Sequence, residues 1–470
     1  MSPSLAQRIH ASPNYKGWVL VACLSGMFAT TFTITILGVS LAVIADDLES
    51  TPEIVAWVIT GPMLVQALAL PILGKVGDVI GHRRVYLIGF AFATAFALAT
   101  AAAWSAGSLV AIRTLGQLTG TATWPASTAL LFHVYQPEER VRAMGWVSLV
   151  SAGAPVFGLA IGGLMVDTLG WRPLFVIQAV LCALAFALAV VVLRETGRQE
   201  GVTLDLPGAA TIAVAASCLT FGINRLPAWG LTHPGVFGPL LVVPLALWAF
   251  VRAERRAVHP LVPLAFFSRR NFSFPMVSGF FAQFAYMGGF IISPLLLLQV
   301  FGYSATATSF LTMLRPITFS LCSPIGGAIA TRVGERTMVV IGNGGVVLAM
   351  ASFALGATFE SIPFIAGGLV IAGLGFGICQ PSISAIVGNS VGEKHFGIAS
   401  SAVGMASSIG AVSGISVLTA LTADSESPEI FFQGYVLGAV FALLGFLASF
   451  FTVGRRAARR AAESDSVETP

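Results

Sequence analysis

Residues 74–84 read GKVGDVIGHRR and form a short polar turn between two long apolar stretches. The glycines favour a sharp turn, because glycine accepts backbone conformations that other residues rarely adopt. The pattern returns in the second part of the chain, again between the second and third long apolar stretch of its half. The sequence therefore predicts two similar, parallel halves. The repeated residues are Pro71, Gly74, Gly81, Arg83, Ile88 and Gly89, which recur with equal spacing as Pro324, Gly327, Gly334, Arg336, Ile341 and Gly342.

The composition places both halves in a membrane. Of 470 residues, 56% are hydrophobic and 10% are charged, which is too apolar for a water-soluble globular protein. Apolar stretches long enough to cross a bilayer as helices recur along nearly the whole chain. The five cysteines lie in these stretches without C-x-x-C spacing, so they indicate small core residues and no metal site. The prediction is an all-α membrane protein.

The apolar stretches predict fourteen spans joined by short polar connections, with no room for a soluble domain. The predicted segments are a six-helix bundle in residues 1–200, two linker transmembrane helices in 201–256, a second six-helix bundle in 257–454, and a tail in 455–470. The first six spans are predicted at about residues 17–44, 53–74, 84–104, 107–134, 143–168 and 172–193. The other eight are predicted at about 207–226, 235–252, 272–299, 305–330, 337–358, 361–387, 396–422 and 430–453.

The charge distribution supports this order of spans. With the N-terminus in the cytoplasm, all but four of the 25 Lys and Arg residues lie on the cytoplasmic side, as the positive-inside rule demands. The exceptions are Arg172 and Arg225 outside, and Arg113 and Arg315 within spans. We therefore predict a multi-pass protein of the cell membrane with both termini in the cytoplasm. The bias does not separate fourteen spans from twelve, because removing the linker pair leaves all other orientations unchanged.

The turn at residues 74–84 is similar to the signature loop of the major facilitator superfamily, G-x-x-x-D-x-x-G-x-R-[RK]. This resemblance implies a cytoplasmic gate in which a carboxylate and arginines form a latch across the seam between the halves. Alternatively, the two arginines serve only as topology anchors. The implied gate residues are Gly74, Asp78, Gly81, Arg83 and Arg84.

The arrangement of six, two and six spans resembles the fourteen-span drug:proton antiporter branch of that superfamily, as does the stretch VHPLVPL at residues 258–264. The resemblance implies secondary transport by alternating access, with efflux of drugs or metabolites and multidrug resistance. It covers the chain except for the tail. No cofactor is expected, no nucleic acid partner is expected, and a monomer in contact with membrane lipids is predicted.

Two motifs depart from that branch. The span-five motif G-P-x-x-G-G appears as GLAIGG, so leucine replaces its proline, although the small residues still permit close helix contact. Span one lacks the carboxylate that the branch usually carries, and no Asp or Glu lies in the centre of a predicted span. Proton coupling is therefore left open, because a buried relay needs titratable groups. The span-five packing motif is assigned to Pro155, Gly158, Gly162 and Gly163.

Span four carries a polar stripe in which Arg113, Gln117, Gly120 and Trp124 follow helical spacing on one face. An arginine that faces lipid would be costly, so this face is predicted to line a cavity or to pack on a partner helix. Arg315 is the second buried cation. For both arginines a structural role, with the guanidinium bonded to backbone carbonyls, is the alternative.

Other polar residues on helices expected to line the cavity serve equally well as interhelical hydrogen-bonding groups. Two buried cations without a buried acid favour anionic or polar-headed substrates. The complete set of predicted cavity residues is Thr33, Thr35, Arg113, Gln117, Trp124, Gln283, Tyr286, Arg315 and Gln380.

Three functions follow from these patterns. The first is an exporter of amphipathic small molecules, and the second is a lipid or anionic-metabolite transporter of the same fold with weak or no proton coupling. The third, a membrane-embedded enzyme or sensor, is disfavoured because the spans contain no catalytic cluster and the loops hold no output domain. The expected partner is a small-molecule or lipid-like substrate, whose identity the sequence does not reveal.

Overall fold

A computed structural model describes residues 5–33, 37, 43–55, 57–196, 205–258, 260, 262–392, 395–422 and 427–453. Within these residues every regular element is a helix. The first half contains α1 (Leu5–His10), α2 (Tyr15–Thr31), α3 (Pro52–Val55), α4 (Trp57–Ile80), α5 (His82–Ala101), α6 (Ala106–Thr121), α7 (Thr123–Val134), α8 (Arg140–Leu169) and α9 (Arg172–Val192).

The linker pair and the second half follow in the same manner. The linker helices are α10 (Leu206–Trp229) and α11 (Pro234–Glu254). The second half contains α12 (Arg270–Leu295), α13 (Ala305–Thr312), α14 (Leu314–Val333), α15 (Glu335–Thr358), α16 (Ile362–Asn389), α17 (Phe396–Thr422) and α18 (Pro428–Ser449). A 3-10 turn (Leu264–Ser268) precedes α12, and a π-helical turn (Leu296–Val300) follows it.

Two of the predicted spans are each divided into two helices at a residue that the structure describes. Span four breaks at Ala122, between α6 and α7, and span ten breaks at Met313, between α13 and α14. Each break lies three residues before a proline, at Pro125 and Pro316. Proline has no amide hydrogen for the carbonyl four residues earlier, and its ring pushes that turn apart. The sequence analysis predicted a single helix for both spans.

Nine helices of the described part are long and apolar enough to cross a membrane. Four belong to the first half and the linker pair, and five belong to the second half. The nine segments are His82–Ala101, Arg172–Val192, Leu206–Ile223, Pro234–Glu254, Arg270–Val300, Glu335–Thr358, Ile362–Asn389, Phe396–Thr422 and Pro428–Ser449. These helices agree with a multi-pass membrane protein, and the count of fourteen stays a prediction.

The linker helix α10 packs on both halves at once, against α4 of the first and α17 of the second. Its apolar residues Ala209 and Ile212 form a small core with Phe250 of α11, and Ile72 and Met405 pack against that core. None of the described residues of the linker pair lines the two central cavities described below. The linker pair therefore lies beside the bundle and covers one seam between the halves.

On another seam, α8 contacts α14, and glycines bring the two backbones together. A Cβ atom on Gly145 would lie 2.7 Å from the carbonyl oxygen of Ser323, and one on Gly327 would lie 2.7 Å from that of Val141. Such distances are too short for any side chain. The halves thus meet through glycine contacts like those of other membrane helices.

The end of the bundle that holds residues 74–84 is called the signature end below.

Close packing inside the second half predicts a large effect of a single methyl group. A Cβ atom on Gly414 of α17 would overlap the carbonyl oxygen of Phe284 on α12. We expect Gly414→Ala to lower the free energy of unfolding by roughly 1–3 kcal/mol, the usual cost of overpacking. Thermal unfolding in detergent measures it. Gly17→Ala is the control, because nothing lies within 4 Å of its added Cβ. Equal melting temperatures for the two variants would show that α12 and α17 pack less closely than the structure describes.

Candidate functional site

A cavity of about 90 Å³ lies within the first half, among α2, α4, α5, α6, α7 and α9. The whole polar stripe of span four faces it. No Asp, Glu or Lys is among its lining residues in the described part of the chain. The lining includes Thr30, Thr31, Gln66, Phe96, Thr100, Arg113, Gln117, Gly120, Trp124 and Gln178.

Arg113 is held in this cavity by neutral partners. One guanidinium nitrogen donates to the Oε1 atom of Gln178 at 3.3 Å, and another donates to the Oγ1 atom of Thr33 at 3.2 Å. The guanidinium also lies 5.4 Å from the ring centre of Phe175. Its Nε atom is buried and has no hydrogen-bond partner among the described residues. A cation held only by neutral groups keeps its full charge available to a ligand in the cavity.

A second cavity of about 260 Å³ lies between the two halves. It shares Thr31, Gln66 and Trp124 with the first, so the two cavities adjoin. Its polar lining consists of hydroxyl and amide groups, again with no charged side chain among the described residues that line it. Both halves contribute to this surface: Thr31, Gln66, Thr128 and Ser151 come from the first, and Gln380, Ser384, Ser400, Ser407 and Ser408 come from the second.

Arg315 occupies a different environment. It is buried, it donates to the carbonyl oxygen of Tyr286 at 2.6 Å, and its guanidinium lies 3.9 Å and 3.5 Å from the ring centres of Tyr286 and Phe290. It does not line either central cavity, and neither does Gln283. The Oε1 atom of Gln283 is buried and has no hydrogen-bond partner in the part of the chain that the structure describes. The aromatic rings and the carbonyl are contacts of the kind that the structural alternative predicts for Arg315, and its role in the substrate cavity stays a prediction.

Asp78 spans the seam between the halves at the signature end. Its Oδ1 atom accepts the amide hydrogen of Gly397 at 2.9 Å, and its Oδ2 atom accepts that of Ile398 at 3.1 Å. Both amides belong to the first turn of α17, where backbone N–H groups have no partner within the helix. The Nε2 atom of His82 lies 3.1 Å from Oδ1. The carboxylate thus caps a helix of the opposite half, where the helix dipole favours a negative charge.

Arg83 and Arg84 contact the first half instead. Arg83 donates to the carbonyl oxygen of Val190 at 3.0 Å, and the Nε atom of Arg84 lies 3.5 Å from the carboxylate of Glu195. Both partners lie at or just after the end of α9, so these arginines fasten the turn to its own half. Only part of the predicted latch therefore makes contacts across the seam in the described structure. The carboxylate of Asp78 contacts the second half, whereas Arg83 and Arg84 contact the first half and hold the turn that carries Asp78.

The glycines of the turn have separate structural reasons. Gly81 has a φ angle of 102°, which only glycine adopts easily, and it allows the chain to pass from α4 to α5. A Cβ atom on Gly74 would overlap the side chain of Ser401 and would lie 2.7 Å from the carbonyl oxygen of Gly397. Gly74 therefore permits direct contact between α4 and α17 beside the Asp78 cap.

A second polar contact closes the same end of the bundle. Arg140 at the start of α8 donates to the Oδ1 atom of Asn389 at 2.7 Å, across the seam to the end of α16. Its guanidinium also lies 4.6 Å from the ring centre of Phe396. The sequence analysis did not assign Arg140 or Asn389 to the gate. Together with Asp78, they hold the two halves in contact at the signature end.

The span-five residues lie in α8, where Pro155 is inside the helix and Gly158 is buried. The packing of Gly162 and Gly163 lies outside the described residues, and so does Thr35 of the predicted cavity. Thr33 is buried and reaches Arg113, as described above. The packing role assigned to span five stays a prediction.

Several site residues were missed by the sequence analysis. Gln178 is the only amide in α9, and this isolation in an apolar span was the signal that could have indicated it. Ser400, Ser407 and Ser408 of α17 also line the cavity between the halves, and the sequence analysis did not assign them. Lys75 was assigned only as a topology charge, yet it is buried and interacts electrostatically with Asp78, Glu254 and Asp205. It thus links the signature end to the ends of both linker helices.

Comparison with known proteins identifies the family. The sequence profile of the Major Facilitator Superfamily matches residues 21–415 and 275–469, and therefore most of the chain. The chain belongs to the major facilitator superfamily. Its members are transporters, and their all-helical, multi-pass fold agrees with the helices described above.

Relatives within the superfamily include named resistance proteins. The tetracenomycin C resistance and export protein of Streptomyces glaucescens is 28% identical over 414 residues, which cover 86% of this chain and 76% of that protein. The multidrug resistance protein Stp of Mycobacterium tuberculosis is 25% identical over 406 residues, covering 86% and 75% of the two chains. Among solved structures, the human organic anion transporter MFSD10 superposes with a TM-score of 0.68 at 17% identity, covering 93% of this chain and 100% of that one. This last likeness shows the fold alone.

Proposed function

We propose that this chain is a secondary exporter of amphipathic small molecules, including drugs, and that it works by alternating access. The observation that carries the proposal is the cavity between the halves, which is lined by residues of both halves. Hydrogen bonds of Asp78 and Arg140 join the halves at the signature end. A cavity at the interface of two parallel halves is where a rocking transporter binds its substrate. The export and resistance functions in the names of the relatives support the direction of transport.

Expression in a bacterial host that lacks its own efflux pumps tests this function. The chain should raise the inhibitory concentration of at least one amphipathic compound in a broad panel, with a matching fall in cellular accumulation. A variant with Gly74→Leu, which forces α4 away from α17, should give no protection. Equal sensitivity and equal accumulation with and without the chain, at confirmed membrane expression, would contradict an export function.

The proposal includes the fourteen-span arrangement and its orientation. The linker helices α10 and α11 supply the two spans between the halves. Each contains a segment that is long and apolar enough to cross a bilayer, Leu206–Ile223 in α10 and Pro234–Glu254 in α11. The arginine-rich signature end then faces the cytoplasm, as the positive-inside rule favours. In that orientation the described contacts close the cytoplasmic side.

We further propose weak or no coupling to protons. The cavities contain no carboxylate among their described lining residues. Asp47, near the end of span one, is bonded to the indole of Trp171 and to Arg172, and these bonds hold the pKa of its carboxyl below the usual range. A carboxylate that stays ionised near neutral pH does not carry protons through a transport cycle.

An imposed pH gradient is therefore expected to change uptake into proteoliposomes by less than about twofold, because the described residues that line the cavities include no Asp, Glu or His. The measurement compares wild type with neutral variants of Asp46, Asp47, Glu53 and Asp167, four carboxylates that lie at or near the ends of predicted spans. Strong acceleration by the gradient, lost in one of these variants, would establish proton antiport through that residue.

The second candidate function is transport of anionic compounds. The observation that favours it is Arg113, a cation in the cavity whose partners Thr33 and Gln178 are both neutral. A carboxylate or phenolate of a substrate would supply the missing charge and two charge-assisted hydrogen bonds. In a transport panel, aromatic carboxylates should then compete with the exported compound, and their methyl esters should compete less.

A further inference from the structure

A separate groove of about 390 Å³ opens where α8 meets α14. Arg142 of α8 and Arg332 of α14 both line it, and both lie near the signature end of their helices. The two side chains are exposed and come from opposite halves of the molecule. Neither forms an ion pair with an acid within the described residues. Glu139 does act on Arg142 electrostatically, but its carboxylate is bonded to Lys16 at 2.5 Å.

The rest of the groove is apolar. Ile325, Ala328 and Ile329 line it along one face of α14, and Trp146 lines it from α8, one turn beyond Arg142. From Arg332 back to Pro324 the helix rises by about 12 Å, since each residue contributes about 1.5 Å. Trp146, Ile325 and Ile329 are 41%, 57% and 42% exposed, so they present their surfaces to lipid. The groove thus has a cationic mouth at one end and an apolar channel that runs into the membrane.

We propose that this groove binds an anionic phospholipid, with its phosphate between Arg142 and Arg332 and an acyl chain along Ile325, Ala328 and Ile329. Arg142 and Arg332 carry like charges into the same groove, and no Asp or Glu is among the described residues that line it. An anion bound between the two arginines relieves their repulsion. Basic sites between membrane helices near the interface favour anionic head groups, and tryptophan is common at that depth. The apolar channel selects a lipid over a free phosphate ion.

The site has a consequence for alternating access. It lies directly on the α8–α14 seam, next to Gly145, whose added Cβ would lie 3.0 Å from the Cα atom of Pro324. A lipid phosphate bonded to both arginines joins the halves where the described structure has them in contact. Anionic lipid should therefore stabilise the conformation that is closed at the signature end.

Native mass spectrometry of the full chain with palmitoyl-oleoyl phosphatidylglycerol tests the site. The wild type should retain one lipid that Arg142→Gln/Arg332→Gln binds roughly tenfold or more weakly, since each arginine near a membrane surface contributes on the order of one kilocalorie per mole. Ala328→Phe, which keeps both arginines and fills the channel, should also lose it. The control Arg255→Gln/Arg270→Gln removes two exposed charges that do not line the groove and should bind like wild type.

Four outcomes of this lipid-binding experiment would contradict the proposed site. Equal retention by wild type and Arg142→Gln/Arg332→Gln would overturn the site, and so would an equal loss in the control, which would indicate general surface charge. Retention by Ala328→Phe would overturn the acyl channel. Phosphatidylcholine and inorganic phosphate are measured in parallel; binding of either as strong as that of phosphatidylglycerol would show that the groove does not recognise an anionic lipid.

Discussion

Asp78→Asn should leave the protein folded in the membrane and should shift it toward conformations open at the signature end. The carboxylate of Asp78 accepts two amide hydrogens from the first turn of α17. An asparagine at this position presents an NH₂ group to one of those donors and removes the negative charge from the helix terminus. Charge-assisted hydrogen bonds contribute about 1.5–3 kcal/mol, so the equilibrium should move by roughly tenfold to a hundredfold.

Reaction of a cysteine at Ser407, which lines the cavity between the halves, measures this shift. Labelling from the signature end should become faster in Asp78→Asn, and the transport rate should fall. Glu195→Gln is the matched control, because Glu195 pairs with Arg84 at the same end but within the first half. Unchanged labelling and transport in Asp78→Asn would show that the cap does not hold the gate.

Arg113→Ala should abolish most transport while changing thermal stability little. The substitution removes the hydrogen bonds from Arg113 to Thr33 and Gln178. Both of these side chains are neutral, so neither is left as an unpaired buried charge. Neutral hydrogen bonds contribute about 1 kcal/mol each to stability. A charged contact to an anionic substrate contributes more, and its loss should lower transport by about tenfold or more. Transport and melting temperature are measured on the same preparations.

Arg315→Ala provides the contrast. Its guanidinium packs between the rings of Tyr286 and Phe290 and bonds a backbone carbonyl, so its removal should lower the melting temperature. Arg113→Lys retains the charge but not the forked geometry and should restore part of the transport. If Arg113→Ala transports normally, or if it loses stability as much as Arg315→Ala, then Arg113 is a structural residue.

The sequence predicted those features that depend on local periodicity. Arg113, Gln117 and Trp124 share a face because helical spacing places them there, and the structure brings all three to one cavity. Apolar length likewise predicted where the helices lie. The two breaks were missed, although Pro125 and Pro316 were present as signals, because prolines in membrane helices are often tolerated.

Features that depend on which helices meet could not be derived in the same way. The sequence assigned Arg315 to the cavity, but only its contacts in the folded chain show that the rings of Tyr286 and Phe290 flank its guanidinium. The partners of Asp78 are backbone amides, which no side-chain pattern reveals. The serines of α17 face the cavity for a similar reason, since the rotation of that helix follows from its glycine contacts with α12.

A reversible crosslink between the halves tests alternating access most directly. A Cβ atom on Gly153 of α8 would lie 3.8 Å from the Cβ atom of Ser320 on α14, which is the usual separation in a disulfide. In Gly153→Cys/Ser320→Cys, oxidation should stop transport in proteoliposomes and a reductant should restore it, whereas each single variant should be insensitive to both. Transport at the wild-type rate with the crosslink fully formed would contradict a mechanism in which the two halves move against each other.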